Sequence, residues 1–571
     1  MKGESESVNE ANAIRTKLSQ LGIFFVAVIM ISGSLGYLIG AAPPESAPDT
    51  VIDWEGLTAY KINGIRYANP DDPDSIQATI EELEATGHGG LVVVPEGDYY
   101  LNERLLITQS NLALVGTGDA NIISSLGDGI SSIIRIQGAY DDYIENILLR
   151  DLILVGCNNP SGNNEDGIAA NYVTDLTIEN CQIYNATEEG IVFYDCTYSK
   201  AVGNTLVNCG VTGVANPAIE VYQTTEYADS LCHNILIADN VVRDSPYKAI
   251  MVMDASNVTV ARNVITNTTG GEAIYVYSRE FAISNVIITE NLIRSSSVYG
   301  INLPYEVTAP VCEYSNMVIS NNVIEDCSDG IRTSRTTNSL ITGNSISDCI
   351  NYGIYMKWTN YTVCSQNAII DCPVSLNTRS AILYTAGERS SILSNTIRYS
   401  EGVGQYGIYV VTDVDHVLIQ NNIFERPDNL YSAIALSGNA DNNTISGNTL
   451  HNDAACIVIT SDTCYGNLIT GNIIQCSATV NGIQNSGTAT VVNNNLGYRT
   501  EAYGRAEIAA SDDYITVTHS LVKAPTSVIV TLNVTGYTCK IVNIYSSTFV
   551  VYTNATVPTG CYVYWAAYVV M

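Results

Sequence analysis

One unit of sequence repeats through the middle of this chain, and its pattern leaves few folds open. From Val318 to Lys357 it reads VISNNVIEDCSDGIRTS and then LITGNSISDCINYGIYMK. Each copy holds an apolar triplet, an Asn, two more apolar residues in alternation, a polar turn that often ends in Cys, and a Gly-Ile pair opening another alternating run. The Asn recurs at Asn180, Asn204, Asn240, Asn263, Asn291, Asn322, Asn344, Asn367, Asn395, Asn422, Asn448, Asn472 and Asn494, spaced by 22 to 36 residues. A unit of about 22 residues with period-two alternation and no amphipathic helix cannot bury its apolar side alone, and stacking many copies solves that. A leucine-rich repeat shares the period but needs a Leu-x-Leu and Asn/Cys scaffold with a helical return, which is missing. That leaves an all-β chain wound as a right-handed parallel β-helix. Each Asn then sits in a tight turn, its amide bonded to equivalent amides in neighbouring coils.

A solenoid grows as one domain, so 571 residues need not be split among separate cores. Asp and Glu outnumber Lys and Arg 58 to 25, a net charge of −33. This argues against a nucleic-acid partner, whose phosphates require a basic surface. It suits a soluble surface in a salty or cation-rich exterior. The Asp-rich turn NPDDPD at 69–74 is of a kind that holds Ca²⁺, although solvation alone accounts for such a run. No other cofactor or metal is expected, because no CxxC or Cys/His cluster occurs and the five histidines are scattered.

Residues 1–21 are polar, carry Lys2, Arg15 and Lys17, and read as a cytoplasmic tail. Residues 22–41 are uncharged and mostly apolar, long enough to cross a bilayer. The basic flank lies on the N-terminal side, so everything after residue 42 is expected outside. Two readings stay open: a retained single-pass membrane anchor, favoured by the long polar leader, or a cleaved signal segment ending at Gly40-Ala41-Ala42. Residues 42–60 read as a linker. Seven sequons, at Asn185, Asn257, Asn267, Asn360, Asn442, Asn533 and Asn554, fit a glycoprotein in that exterior. The fifteen cysteines are sparse and odd in number. Cys209, Cys327, Cys349 and Cys372 each fall five residues after a repeating Asn, which predicts a buried stack of thiols. Coils about 4.8 Å apart leave an oxidised Cys327–Cys349 or Cys349–Cys372 within geometric reach.

The β-helix is expected over 61–497. At its start Asp74 or Ser75 caps a helix whose Ile76, Ile80 and Leu83 share a face; Gly87 ends it, and Leu91–Val94 is a strand. An apolar-faced helix there covers the raw end of a stacked sheet. The run Gly89-Gly90-Leu91-Val92-Val93-Val94-Pro95-Glu96-Gly97-Asp98-Tyr99 resembles the opening of the pectin-lyase-like β-helix superfamily, in its tailspike and rhamnogalacturonase-type branch. The resemblance implies the fold and carries no chemistry. The polygalacturonase signatures of that superfamily are missing, and Gly87-His88-Gly89 lies in the end-cap.

The second strand of each coil holds the information about a surface. With Ile191, Ile219, Ile250, Ile274, Ile301, Ile331, Ile354, Ile382, Ile408 and Ile434 inward, alternation aims the first and third residues after each outward. Tyr194, Tyr222, Tyr275, Tyr277, Arg332, Tyr355, Lys357 and Tyr409 then form a stripe suited to a long glycan, ring faces meeting sugar C–H surfaces and polar groups meeting hydroxyls. Outward strand positions favour Tyr in any case. The longest coils, 204–240 and 291–322, place extra residues beside this stripe. Cleaving a glycosidic bond needs two carboxyls, about 5–5.5 Å apart for retention or about 6.5–9.5 Å for inversion. Glu220 lies in the stripe, and Asp195 and Asp254 end the equivalent strand one coil to either side, about 9.6 Å apart over two coils. These three are the expected catalytic set, with Arg332 and Arg335 as candidates for lyase chemistry.

Over 505–571 the Asn period gives way to short alternating strands with turns at Ala524-Pro525, Ser546-Ser547 and Pro558-Thr559-Gly560, a small antiparallel β-sandwich. Through Val517-Thr518-His519, Ala524-Pro525-Thr526-Ser527-Val528 and Tyr564-Trp565-Ala566-Ala567-Tyr568 it is similar to the lectin-like sandwich at the tips of phage tail fibres. That resemblance implies sugar binding and a homotrimer through this module. Cys539 and Cys561 are a candidate bridge. Three functions fit: a surface protein that binds and cleaves extracellular polysaccharide by lyase or hydrolase chemistry, a non-catalytic glycan-binding adhesin, and a structural surface or spike protein. Carboxyls converging in one groove favour the first, a smooth tyrosine stripe the second, lateral contacts between chains the third.

Overall fold

The computed structural model describes residues 64–569, except 73, 125–131, 158–164, 211–215, 225–231, 306–312, 374–378, 400–405, 426–430, 453–454, 477–481, 499 and 520. The chain divides into Met1–Thr58 and Ala59–Met571. The tail, the apolar span 22–41 and the linker lie outside the described residues, among which no helix is long and apolar enough to cross a membrane.

Equivalent strands of successive coils pair in parallel, so that Ile191–Tyr194 pairs with Pro217–Tyr222, then Lys248–Met253, then Ile274–Tyr277. The ten isoleucines from Ile191 to Ile434 form one fully buried, in-register stack. At the start, helix Ser75–Glu84 lays Ile76, Ile80 and Leu83 on the core, and strand Gly90–Val94 behind it is wholly buried. Asp74 is the N-cap residue but makes no side-chain capping bond. In the acidic turn before the helix, Asn69 and Asp72 side chains accept the N–H groups of Asp71 and Asp74. Gly89 is required because its φ is +71° and a Cβ would lie 2.1 Å from the Asn111 carbonyl oxygen.

The repeating Asn forms a single row of buried amides from Asn204 to Asn495. Each Nδ2 donates to the next Oδ1 at 2.9–3.0 Å, as in Asn322 to Asn344 and Asn344 to Asn367, and each Oδ1 also accepts the preceding Asn backbone N–H. The other amide proton reaches a carbonyl of the preceding coil, as Asn344 does to Ile319. Two of the thirteen expected residues stand one position off this row. Asn180 and Asn494 occupy left-handed turn positions, at φ +54° and +51°. Their neighbours Cys181 and Asn495 hold the row position instead, the Cys181 N–H donating to Asn204. The corner places an exposed left-handed residue directly before the buried one, and Asn suits both.

Cys209, Cys327, Cys349 and Cys372 are buried at equivalent positions, as expected, and all are free thiols. Neither reachable bridge among them forms, nor does Cys539–Cys561. The Cys349 N–H instead donates to Cys372 Sγ at 3.1 Å, and burial pushes the Cys209 thiol up to about 12. After the last coil, Glu501–Ile508, Ser527–Leu532 and Cys561–Tyr568 form one antiparallel sheet and Tyr514–Thr518, Cys539–Ile544 and Thr548–Thr553 another. Ile508, Val517, Phe549, Val551 and Val563 pack between them.

Asn344→Ala would strand a buried N–H and a carbonyl at once, so it should lower unfolding stability by about 2–4 kcal/mol. Urea denaturation measures this, and a loss within the error of the method would mean that the amide row does not hold the coils. Alkylation of the native protein should spare Cys209, Cys327, Cys349 and Cys372 while unfolding exposes them all; peptide mass spectrometry reads the difference, and rapid native labelling would contradict the burial.

Candidate functional site

The outward face of the Ile-bearing sheet differs from simple alternation in one respect. The residue before each buried Ile is Gly or Ala, and it also faces the core. A Cβ on Gly190 would lie 2.5 Å from Leu206 Cδ2, and one on Gly330 2.5 Å from Ile346 Cγ2. Ala218, Ala249, Ala273, Ala381 and Ala433 fill the same position and are buried. Two consecutive inward residues turn the next one upstream outward, beside the residue that follows the Ile. The face therefore carries a further column, with Asp166, Glu189, Lys248, Tyr299, Asp329, Tyr352 and Tyr406, which strict alternation assigns to the interior. A Gly or Ala before every Ile was the available signal, since strict alternation tolerates larger residues there.

The expected stripe lies on this face. Tyr194 and Tyr222 are register partners with ring centroids 5.8 Å apart, and Tyr275 and Tyr277 lie 5.6 Å apart. The extra column supplies their missing neighbours. Tyr352 lies 5.3 Å from Tyr355, Tyr406 stacks on Tyr409 at 4.5 Å, and Arg332 sits between Tyr299 and Tyr355. Lys357 Nζ lies 3.9 Å from the Trp358 ring.

Acidic residues converge on three consecutive coils. Asp166, Glu189 and Glu220 are each only 4% exposed although they lie on the outward side of the sheet. Glu189 acts electrostatically on both of the others, and carboxylate oxygens of Asp166, Glu188 and Glu189 lie within 4.8 Å of one another. Burial, and then the charge of Glu189, raises Asp166 and Glu220 well above the usual carboxyl range. The same two causes push Glu188 up to about 7. Burial and Glu189 also keep the Tyr194 phenol protonated. Beyond Glu220, Lys248 Nζ lies 3.8 Å from Glu272 and 4.6 Å from the Tyr275 ring. Asp166 Oδ1 and the register-paired Ser132 hydroxyl are both buried without a hydrogen-bond partner. Carboxyls raised in this way keep their protons to higher pH than ordinary ones, which suits acid–base work. Their all-oxygen donors are also of the type that suits a hard cation such as Ca²⁺.

Of the three acids expected from the sequence, only Glu220 joins this cluster. Asp195 has a left-handed backbone (φ +49°), and its carboxylate accepts the Thr224 N–H and hydroxyl. Asp254 (φ +55°) accepts the N–H groups of Arg279, Glu280 and Phe281 and lies 3.9 Å from the Arg279 guanidinium. Both carboxylates hold the backbone that follows the next coil's strand. The charges acting on Glu220 come from Glu189, Lys248 and Glu188 instead.

Two family models match the chain. The one described as a right-handed β-helix region matches residues 152–230, and the one described as the periplasmic copper-binding protein NosD matches 212–356 and 308–435. No curated protein matches in sequence. Among solved structures, a surface adhesin of Streptococcus pneumoniae is 14% identical with a TM-score of 0.47, over 63% of this chain and 91% of that one. The tailspike of Pseudomonas phage phi297 is 10% identical with a TM-score of 0.45, over 87% and 92%. The A-module of a mannuronan C-5 epimerase from Azotobacter vinelandii is 16% identical with a TM-score of 0.34, over 75% and 95%. Stacked parallel strands and the matched β-helix region agree that the chain folds as a right-handed parallel β-helix.

Proposed function

We propose that this is an exported cell-surface protein that binds an extracellular polysaccharide along the outward tyrosine face and hydrolyses it at the carboxyl cluster. One observation carries the reading: Asp166, Glu189 and Glu220, from three consecutive coils, meet at the head of the row that bears Tyr194, Tyr222, Tyr275 and Tyr277. Glycosidic cleavage requires a carboxyl that is still protonated at working pH and a second that is ionised. Burial raises Asp166 and Glu220, which suits either to the protonated role, and Glu189 stands beside both. Oxygens of Asp166 and Glu189 within 4.8 Å of each other lie closer than the wider separation, about 6.5–9.5 Å, that admits water between the groups, which favours a double displacement. Asp195 and Asp254 support the site by holding backbone. The surplus of acidic residues and the sequons support an exterior location, and residues 22–41 would deliver and anchor the chain there.

Copper has no place in this reading, despite the matched family's description. Among the described residues the one group of three His, Cys, Asp or Glu side chains close enough to share an ion is Asp166, Glu188 and Glu189. Copper selects imidazole, thiolate and thioether ligands, whereas these are carboxylates. An adhesin without catalysis is the second reading, favoured by the continuation of the aromatic row to Tyr355, Tyr409 and Tyr431 beyond the acids.

A reducing-end assay on mixed polysaccharides should detect cleavage, and Glu189→Gln or Glu220→Gln should slow it by at least about 100-fold while glycan binding persists. Unsaturated products absorbing in the ultraviolet would replace hydrolase with lyase, and binding without cleavage would leave the adhesin. The raised Glu188 gives a second prediction. Its folded value of about 7 exceeds the ordinary 4.5, so the protonated form stabilises the fold below the ordinary value, and that contribution disappears as pH rises through about 7. Thermal unfolding across this window should decline less steeply in Glu188→Gln than in the native protein, and identical slopes would place Glu188 in ordinary solvent.

A further inference from the structure

We propose that the face between Tyr299 and Trp358 is a subsite for an anionic group on the sugar chain, so that the substrate is an acidic polysaccharide; this rests on the glycan reading above. The chain as a whole repels polyanions, with 25 cationic residues against 58 acidic ones. Against that background Arg332 and Lys357 stand on adjacent, register-paired strands, with Arg332 opposite Tyr355 and Ser334 opposite Lys357, and Arg335 directly follows the first strand. All three are half-buried. Among the described residues none of them forms an ion pair with a carboxylate within 4.0 Å, whereas Lys248 and Arg279 on the earlier coils do.

Aromatic rings hold these cations instead. The Arg332 guanidinium lies 5.1 Å from the Tyr299 ring and 5.0 Å from the Tyr355 ring and donates to the Tyr299 hydroxyl at 2.6 Å. Arg335 lies 4.1 Å from the Tyr305 ring and donates to its hydroxyl at 3.2 Å. Lys357 lies over Trp358, which meets Tyr305 edge-on at 4.6 Å. A cation fixed over a ring has no counter-charge and keeps most of its donors available, whereas one paired with a carboxylate is compensated and has donors occupied. The acid beside them, Asp329, is 2% exposed and forms no ion pair with them within 4.0 Å, and burial raises it against the charge of Arg332. Arg379 adds a further positive charge acting on Asp329. Oriented donors of this kind take a carboxylate or sulfate in charge-assisted hydrogen bonds, while the flanking rings take the sugar C–H faces.

The subsite lies four strand spacings from Glu220, along Met251, Tyr275 and Asn302 to Arg332, or about 19 Å. A single extended oligosaccharide can therefore touch both the acids and the cations, which a monosaccharide cannot.

The test is calorimetric titration of the full chain with an oligouronate, with the same oligomer reduced at its carboxyl groups, and with a sulfated neutral oligosaccharide. The native protein should bind the oligouronate at least about tenfold more tightly than its reduced form, and Arg332→Gln/Lys357→Gln should bring that ratio towards one. Lys357→Arg keeps the charge and should keep the preference, which separates lost charge from lost folding. Preference for the sulfated oligomer over the oligouronate would assign the same cations to sulfate. Equal affinity for the charged and reduced oligomers would overturn the subsite and leave glycan binding standing; binding of none of them would remove both.

Discussion

The structure depends on a row of buried amides. At one corner of every coil the backbone leaves the strand ladder, and its polar groups would be stranded in a core of Ile, Val and Cys. An Asn there has an oxygen for the N–H groups of the preceding coil and two protons, one for the next Asn and one for a carbonyl. A buried donor or acceptor left alone costs about 1–3 kcal/mol, and every coil faces that cost, so the row sets where each coil turns. Fixing the turn fixes the strand register, because a slip of one residue would exchange core and surface along the whole strand.

Register is what gives the outward face chemical meaning. With the isoleucines stacked, side chains on neighbouring coils fall about 4.8 Å apart, and like residues form columns. The small residue before each Ile adds to this. With two consecutive inward positions, Glu189 and Glu220 come to lie on one side of the sheet and act on each other, and Tyr299 can lie against Arg332. The face then separates by charge, with clustered carboxyls on the coils of Asp166 to Glu220 and ring-held cations on those of Arg332 to Lys357. Low exposure raises Asp166 and Glu220 above the usual carboxyl range on a protein whose net charge is strongly negative.

The aspartates of the corners show why composition is a poor guide to an active site. Asp195 and Asp254 end outward strands and sit one coil from Glu220, and their residue type suits catalysis. Their backbones are left-handed, a conformation that Asn and Asp tolerate better than most residues, and their carboxylates are occupied by N–H groups following the next coil's strand. Glu188 and Glu189 carry the same functional group without that backbone demand, which leaves their carboxylates free to turn toward Asp166 and Glu220.

The sequence by itself determined the coil, its stacked isoleucines, the helix over the first coil, the buried cysteines, the closing sandwich and most of the tyrosine face, because burial repeated at a fixed period is written directly in residue type. It was uncertain by one residue at Asn180 and Asn494, since the exposed and the buried corner positions both accept Asn. Tertiary structure decided which carboxyls meet, which cysteines stay unbridged and which cations stand over rings instead of pairing with carboxylates. Those outcomes depend on contacts between residues roughly twenty to sixty positions apart along the chain, and on whether a side chain before Ile points in or out. Both are set by the geometry of stacking, and no residue's identity encodes them alone.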